Sequence, residues 1–456
     1  MPGVLLTHSN HLFSDRKQVE KMQPYPPRQT LIAAAVLRDH GIPVGLFDPT
    51  LVPPAEGFEA ALERHRPDMV VVCEDDFNFL SKMCLARNRE LAFSMSEWAR
   101  QQSIPIVVHG SDASDNPRDY LRAGFEAVLI GEVETTLLEL AQGKPRLEIA
   151  GLAYHSGSTV TFNTPRQLQT DLDKLPMPAW DLVDIDSYRR AWISAHRSFS
   201  LNVAASRGCP YRCNWCAKPI YANSYHARSA HSVAVELRRL KDEYQPDHIW
   251  FADDIFALSP RWTQEFADAV DALDARISFR MQSRCDLMTR DTVRALGRSG
   301  CEEVWMGAES GSQRILDAMD KGIRVNQIYE AAENLRRNGI RACLFLQFGY
   351  PGEEWPQIEA TIRMVRDVAP DDVGISVSYP LPGTKFHQIV SGQLGVKSNW
   401  SDSSDLAMLF RGTYGTEFYR ALANAIHAEV RGGDARAAWQ CVNELRESQL
   451  GVEKVA

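Results

Sequence analysis

Three cysteines inside eight residues constrain this chain more than any other feature. Cys209, Cys213 and Cys216 stand in the stretch Ser206-Arg-Gly-Cys-Pro-Tyr-Arg-Cys-Asn-Trp-Cys-Ala-Lys-Pro219, a C-x3-C-x2-C array just after the apolar run Leu201 to Ala205. The intervening chain is long enough to wrap three thiolates around one metal centre. Iron–sulfur clusters usually take four cysteines, so three with no fourth nearby leave one iron of a [4Fe–4S] cluster open to an outside ligand. The competing readings are a zinc site and reduced core thiols. Zinc motifs pair such a Cys array with a second Cys/His pair, and none stands at a suitable distance downstream.

The spacing, with Trp215 immediately before the last cysteine, resembles the signature loop of the radical S-adenosylmethionine (radical SAM) superfamily. That resemblance implies that Cys209, Cys213 and Cys216 hold a [4Fe–4S] cluster, with Trp215 in the cluster and SAM loop. It also implies that SAM chelates the open iron and is cleaved on reduction to a 5′-deoxyadenosyl radical.

A chain of 456 residues exceeds the usual single-domain range, so two or three domains are expected. Charged residues make up 24% and the net charge is −9, a balance that argues against a phosphate-tracking face and hence against nucleic-acid partners. Nine scattered cysteines do not form a secreted disulfide framework. No signal peptide is apparent and no run of about 18 apolar residues predicts a membrane span. A cytoplasmic location is expected.

Up to about residue 145 apolar runs alternate with helical patterns. Val4 to Thr7, Val44 to Asp48, Met69 to Cys73, Ile104 to His109 and Ala127 to Ile130 read as strands, and Thr30 to Asp39, Glu56 to His65 and Met83 to Gln101 as helices. Buried strands separated by helices predict an α/β fold with a doubly wound, Rossmann-like parallel sheet. Ligands on such sheets sit beyond the carboxyl ends of the strands. Those ends carry Thr7-His8-Ser9, Glu74-Asp75-Asp76-Phe77, His109-Gly110-Ser111-Asp112 and Gly131-Glu132-Val133-Glu134.

This layout resembles the cobalamin-binding domain that precedes the barrel in one large radical SAM subgroup. The resemblance rests on Pro26-Pro27, Leu37-Arg-Asp-His-Gly41, His109-Gly-Ser-Asp-Ala-Ser114 and Gly131-Glu-Val-Glu-Thr-Thr136. It implies cobalamin over residues 1–145, with Thr7, His8, Asp76, Gly110, Ser111, Asp112, Gly131 and Glu132 as contacts. No D-x-H-x-x-G motif is present, so cobalamin without a histidine from such a motif is expected. A flavodoxin-like scaffold without cobalamin is the alternative. His8, His11 and His109 read as loop residues more readily than as cobalt ligands.

Residues 146–199 read as a connector: a hairpin around Ser156-Gly157-Ser158, then the proline-stiffened tether Leu175-Pro-Met-Pro-Ala-Trp-Asp181. Over 200–382 six strand–helix units are expected, with strands at Leu201 to Ala205, Ile249 to Ala252, Ile277 to Gln282, Val304 to Ala308, Ala342 to Phe348 and Val373 to Tyr379. Their spacing matches the roughly 30 residues of a βα repeat, and they resemble the partial (β/α)6 barrel of the radical SAM core. Residues 383–456 are expected to be helical, with Tyr414 to Val430 and Asp434 to Ser448 as helices and a frayed tail at 453–456.

The barrel's strand ends repeat superfamily patterns. The resemblance implies that Asp253 or Asp254 accepts from the SAM ammonium, that Glu309 and Ser310 lie near its ribose and methionine, and that Gly349 and Gly352 admit its adenine. For the two acids a helix N-cap ahead of Ser259-Pro260 is the competing reading. Arg284 has the fork to pair a carboxylate, that of SAM or of the substrate, and a surface ion pair is the alternative. Arg228 and His231 can contact substrate or phosphate, or be solvated. Cys285, Cys301 and Cys343 read as core thiols, with redox activity of Cys285 as the alternative.

Together these features imply a cobalamin-dependent radical SAM C-methyltransferase. It would act on an unactivated carbon of a small-molecule substrate and receive electrons from a flavodoxin or ferredoxin. The alternative is a non-methylating oxidative cyclase or ring-contracting enzyme, since Asn399-Trp400-Ser-Asp402 to Tyr414 looks like the tail of the magnesium-protoporphyrin monomethyl ester cyclase group. An iron–sulfur scaffold without turnover is a third reading. No catalytic residue beyond the cluster loop is assigned, and the substrate has no readable code.

Overall fold

The computed structural model describes residues 3–452, and their side chains through 448; the predicted frayed tail lies outside the described residues. Seven strands make the first sheet: β1 (Val4–Thr7), β2 (Val44–Leu46), β3 (Met69–Cys73), β4 (Ile106–His109), β5 (Ala127–Leu129), β6 (Leu152–Ser156) and β7 (Thr159–Phe162), in the order β2-β1-β3-β4-β5-β6-β7. The first five pair in parallel. Strands this short and this buried alternate strictly between the two faces, so each strand serves two cores. Leu6, Val71, Val107 and Leu129 pack with the helix Arg28–Asp39 through Ala33, Ala34 and Leu37. Leu5, Val70, Val72, Val108 and Val128 face Phe58, Leu62, Ala92 and Met95 of the helices Pro54–His65 and Ala86–Gln101.

The hairpin of β6 and β7 continues this sheet, antiparallel to β5, so the predicted connector begins as an edge of the doubly wound layer. Its pattern shows why: Leu152, Ala153 and Tyr154 are buried, whereas β7 is half-exposed or exposed. The helix expected from Met83 starts instead at Ala86 and runs to Gln101, since Cys84 takes a left-handed φ of 53°, and a separate turn, Phe79–Lys82, precedes it. A helix not foreseen in the connector, Ile185–His196, starts where the Asp184 side chain accepts from the Ser187 N–H and buries Tyr188 and Trp192.

Beyond residue 200 six strands form a curled half-barrel: β8 (Ser200–Val203), β11 (His248–Phe251), β12 (Ser278–Arg284), β13 (Cys301–Glu309), β14 (Arg341–Phe348) and β15 (Asp372–Val377), ordered β15-β14-β13-β12-β11-β8, with β8 and β11 paired in parallel and β12 to β15 likewise. A two-residue antiparallel ladder joins β9 (Ser206–Arg207) to β10 (His226–Ala227) across the cysteine loop. Helices alternate with the strands, and several carry side-chain caps, such as Ser229 on Ala230–Glu243 and Ser259 on Pro260–Ala272. The six predicted strands and the doubly wound sheet are therefore both present, with ends displaced by at most three residues. The last helices run Thr416–Val430 and Arg436–Val452. None of the described helices is long and apolar enough to cross a membrane.

By internal contact the chain divides into two compact units, 1–210 with 218–254 and 399–404, and 211–217 with 255–398 and 405–456.

Candidate active site: a cysteine loop and the strand ends around it

In the first unit the strand order β2-β1-β3 puts a topological switch point between β1 and β3, the crevice where open α/β sheets bind ligands. The residues at its rim are tied together. The Ser9 N–H donates to the Glu74 carboxylate at 3.1 Å, and the Asp75 carboxylate caps Arg28 and Gln29 at the start of the helix Arg28–Asp39. Thr7 is fully buried. His8 has both ring nitrogens engaged, Nε2 with Asp48 at 3.1 Å and Nδ1 with the Asn10 N–H at 3.2 Å. Burial opposes the charged imidazole, but the Asp48 hydrogen bond and charge outweigh it and raise the His8 pKa.

Asp76 is the outlier of this rim. It is 1% exposed, and neither carboxylate oxygen has a hydrogen-bond partner. Desolvation therefore pushes its pKa well above the usual carboxylate range. His109 Nε2 lies 3.3 Å away but hydrogen-bonds the Gly131 carbonyl at 2.9 Å. Burial lowers the His109 pKa to about 4, so the ring is neutral and donates Nε2–H to that carbonyl. The Asp76–His109 approach is thus no ion pair.

Asp112 is held by Arg89, by the Tyr120 hydroxyl at 2.8 Å and by Asn116 at 3.0 Å, with Gly110 and Ser111 at the start of the same helical turn, Ser111–Asp115. Glu132 accepts from Arg207 at 2.8 Å, and Glu134 pairs with the same guanidinium. Burial opposes the Glu134 carboxylate, yet the Arg207 charge more than offsets this and lowers its pKa. Arg207 stands two residues before Cys209, so the last strand-end loop of the first sheet is locked to the entry of the cysteine loop. A Cβ at Gly208 would meet the Ser224 carbonyl oxygen at 2.5 Å, and its φ is +77°. Only glycine fits between the locked arginine and the first cysteine.

The cysteines themselves differ from the rest of the set. Cys209, Cys213 and Cys216 are half-exposed, whereas Cys73, Cys84, Cys285, Cys301 and Cys343 are buried. Burial pushes Cys285 up to about 12, the behaviour of a core thiol. Among the described residues no three His, Cys, Asp or Glu side chains stand gathered as a metal site, and the cysteine rotamers would have to converge on a cluster. The donor set suits one: three accessible thiols on one loop, turned by the Cys216 N–H to Cys213 carbonyl bond at 3.2 Å.

Asn214 fixes the loop, and nothing in the cysteine spacing pointed to it. Its side chain donates to the Ala318 carbonyl at 2.7 Å and accepts from the Tyr350 hydroxyl at 3.0 Å, while its backbone bonds Met319 and Phe386. Trp215 packs against Ile315, Met319, Tyr350 and Phe386, with its indole N–H buried and unpartnered.

Asp253 and Asp254 separate in role. Asp253 is fully buried and accepts from the Ala205 N–H at 3.1 Å and the Ser206 hydroxyl at 2.5 Å; burial raises its pKa to about 6. Asp254 pairs with Lys82 at 2.5 Å. Arg228 is not solvated but bonded to the buried Glu236. At the end of β13 the Glu309 carboxylate pairs with Lys321 at 2.7 Å, both nearly fully buried. Glu309 takes a left-handed φ of +60°, next to a register shift after Gly307, a strained placement of the kind found at ligand sites. A Cβ on Gly307 would strike both Glu309 Oε1 and Lys321 Nζ at 2.6 Å. Ser310 bonds Thr361 at 3.1 Å. After β14 the Gly349 N–H donates to buried Glu353 at 2.5 Å, and Gly352 accepts from Arg314.

Known proteins resemble this chain in sequence and in fold. Residues 203–365 match the model of the radical SAM superfamily. A protein named an uncharacterised methyltransferase from Pyrococcus horikoshii is 28% identical over 319 residues, 68% of each chain. The hopanoid C-3 methylase of Methylococcus capsulatus is 26% identical over 373 residues, 80% of this chain and 68% of that one. The solved structure of the radical SAM methyltransferase TsrM from Kitasatospora setae, with cobalamin and a [4Fe–4S] cluster bound, superposes with a TM-score of 0.66 over 82% of this chain and 72% of that one, at 19% identity. Residues 203–365 thus match the radical SAM superfamily model, and over 82% of its length the chain shares the fold of that solved structure.

Proposed function

We propose that this protein is a cobalamin-dependent radical SAM C-methyltransferase acting on an unactivated carbon of a small molecule. The observation that carries the reading is the cysteine loop: three half-exposed thiols on a loop clamped by Asn214, in a chain where five of the other six cysteines are buried. A [4Fe–4S] cluster with SAM, and cobalamin, would supply the one-electron chemistry and the methyl group.

The chain's own residues would bind and orient. Cys209, Cys213 and Cys216 would hold the cluster, and Asp253 or Asp254 at the end of β11 would accept from the SAM ammonium. Glu309, already neutralised by Lys321, would present a hydrogen-bonding oxygen without adding net charge, while Ser310, Gly349 and Gly352 would frame the rest. On the first sheet the rim of Thr7, His8, Asp76, Gly110, Ser111, Asp112, Gly131 and Glu132 would receive cobalamin, with burial at Asp76 favouring the uncharged carboxyl. We divide the chain accordingly into 1–145 for cobalamin, a connector at 146–199, a core at 200–382 and a helical region from 383, with a flavodoxin or ferredoxin as electron donor.

Anaerobic reconstitution tests the reading. Wild-type protein should bind about four irons per chain, the count a single [4Fe–4S] cluster requires, and form 5′-deoxyadenosine with dithionite. Cys213→Ala should do neither, and deoxyadenosine formed at the wild-type rate by that variant would remove the cluster assignment. S-adenosylhomocysteine formed alongside deoxyadenosine with substrate present supports methylation; deoxyadenosine alone replaces it with cyclisation or rearrangement.

A further inference from the structure

Arg284 ends β12 and is 5% exposed. Its guanidinium stacks on the Tyr211 ring with the central carbon 3.7 Å from the centroid. Its Nε donates to Asp286 at 2.9 Å, and one terminal nitrogen donates to the Gly322 carbonyl at 3.4 Å. The other terminal nitrogen points at the Cys213 sulfur, 3.9 Å away. A cation this buried and this fully engaged is not free to clamp a carboxylate, the role its position suggested. Lys321, also buried, interacts electrostatically with Cys213 as well, although its charge is matched by Glu309.

We propose that Arg284 is a positioning and tuning residue for the iron–sulfur cluster: its N–H donates to the Cys213 thiolate and its charge favours the reduced form. The inference rests on the cluster reading above. Hydrogen bonds to ligand sulfur and nearby charge both set cluster potentials. Adding an electron makes the cluster more negative, so a fixed cation beside one ligand stabilises the reduced state and raises the potential. The Tyr211 face and Asp286 hold the fork in place, so the donor is oriented before the cluster arrives.

Redox-poised EPR of the anaerobically reconstituted full chain tests this, with iron and sulfide content measured in parallel. Arg284→Gln should lower the reduced-to-oxidised ratio at fixed poise about tenfold, equivalent to about 59 mV for a one-electron couple. Arg284→Lys should recover part of that shift, because it keeps charge and loses the fork. Asp286→Asn should move the potential the other way, by removing the carboxylate that partly screens the guanidinium, while the amide oxygen still accepts from Nε and the Tyr211 stacking and Gly322 bond remain. Fully loaded variants with unchanged potentials, or a loss of loading in Arg284→Gln that Arg284→Lys does not relieve, overturn the proposal. A wild-type chain that binds no cluster would instead overturn the reading beneath it.

Discussion

A carboxyl group can be kept neutral simply by giving it nothing to pair with, and Glu353 shows this clearly. It is fully buried, its Oε2 accepts from the Gly349 N–H and its Oε1 has no partner. Burial raises its pKa to about 8, against the smaller opposing effect of the Gly349 hydrogen bond. Because the folded pKa lies above that of a free carboxyl, the folded state binds the proton more tightly than the unfolded chain. Stability from this group is therefore fully present below about pH 4.5 and is lost as pH rises towards 8, at roughly 1 kcal/mol per pH unit. Glu353→Gln keeps the shape and the acceptor of the protonated acid. Urea melts at pH 6 and pH 8.5 should show a smaller loss of stability for this variant than for the wild type. Parallel losses would mean that Glu353 is already ionised at pH 6. Arg207 and its two glutamates follow the opposite logic, since there the charges are buried together and removal of one partner strands the others.

At the scale of elements, the cysteine loop is a short irregular segment that must hold its shape before any cluster binds. Asn214 does this with bonds to the Ala318 carbonyl and the Tyr350 hydroxyl, and with backbone bonds on both sides. Asn214→Ala should leave the fold intact, at a cost of about 1–3 kcal/mol for the orphaned groups. It should also cut iron uptake during reconstitution several-fold. Equal uptake at equal thiol content would show that the loop is organised by the metal alone. The three cysteines were readable because their spacing is local, whereas Asn214 was not, because its partners lie more than 100 residues downstream. The same distinction runs through the strand ends. Asp253, Glu309 and Gly349 were named because they follow apolar runs in segments that resemble those of the superfamily. The pairing of Glu309 with Lys321 depends on how a loop folds back, which no periodicity records. The helix Ile185–His196 was missed for a related reason: its buried Tyr188 and Trp192 are too few to set a strong helical period.

On the scale of the whole molecule, the alternation of strands and helices was legible through both parallel sheets. The sheet order β2-β1-β3 was not, since it depends on which strands pair across long gaps. That order decides which residues meet at the crevice, and it bears on how cobalamin would be held. No D-x-H-x-x-G motif is present. The histidines at the strand ends are also occupied, His8 by Asp48 and the Asn10 N–H, His109 by the Gly131 carbonyl. Of the three weighed as cobalt ligands only His11 has a buried nitrogen, Nε2, without a partner, and burial lowers its pKa so that the ring stays neutral. We expect the cobalt of protein-bound cob(II)alamin to carry no imidazole from this chain. Protein grown with histidine carrying nitrogen-15 in the ring should give the same EPR hyperfine pattern as unlabelled protein, because a histidine ligand would change its splitting on labelling. A label-dependent pattern would overturn that expectation. Should His11→Gln abolish the label dependence, the ligand would be His11, and the rim of the first sheet would carry a lower axial group.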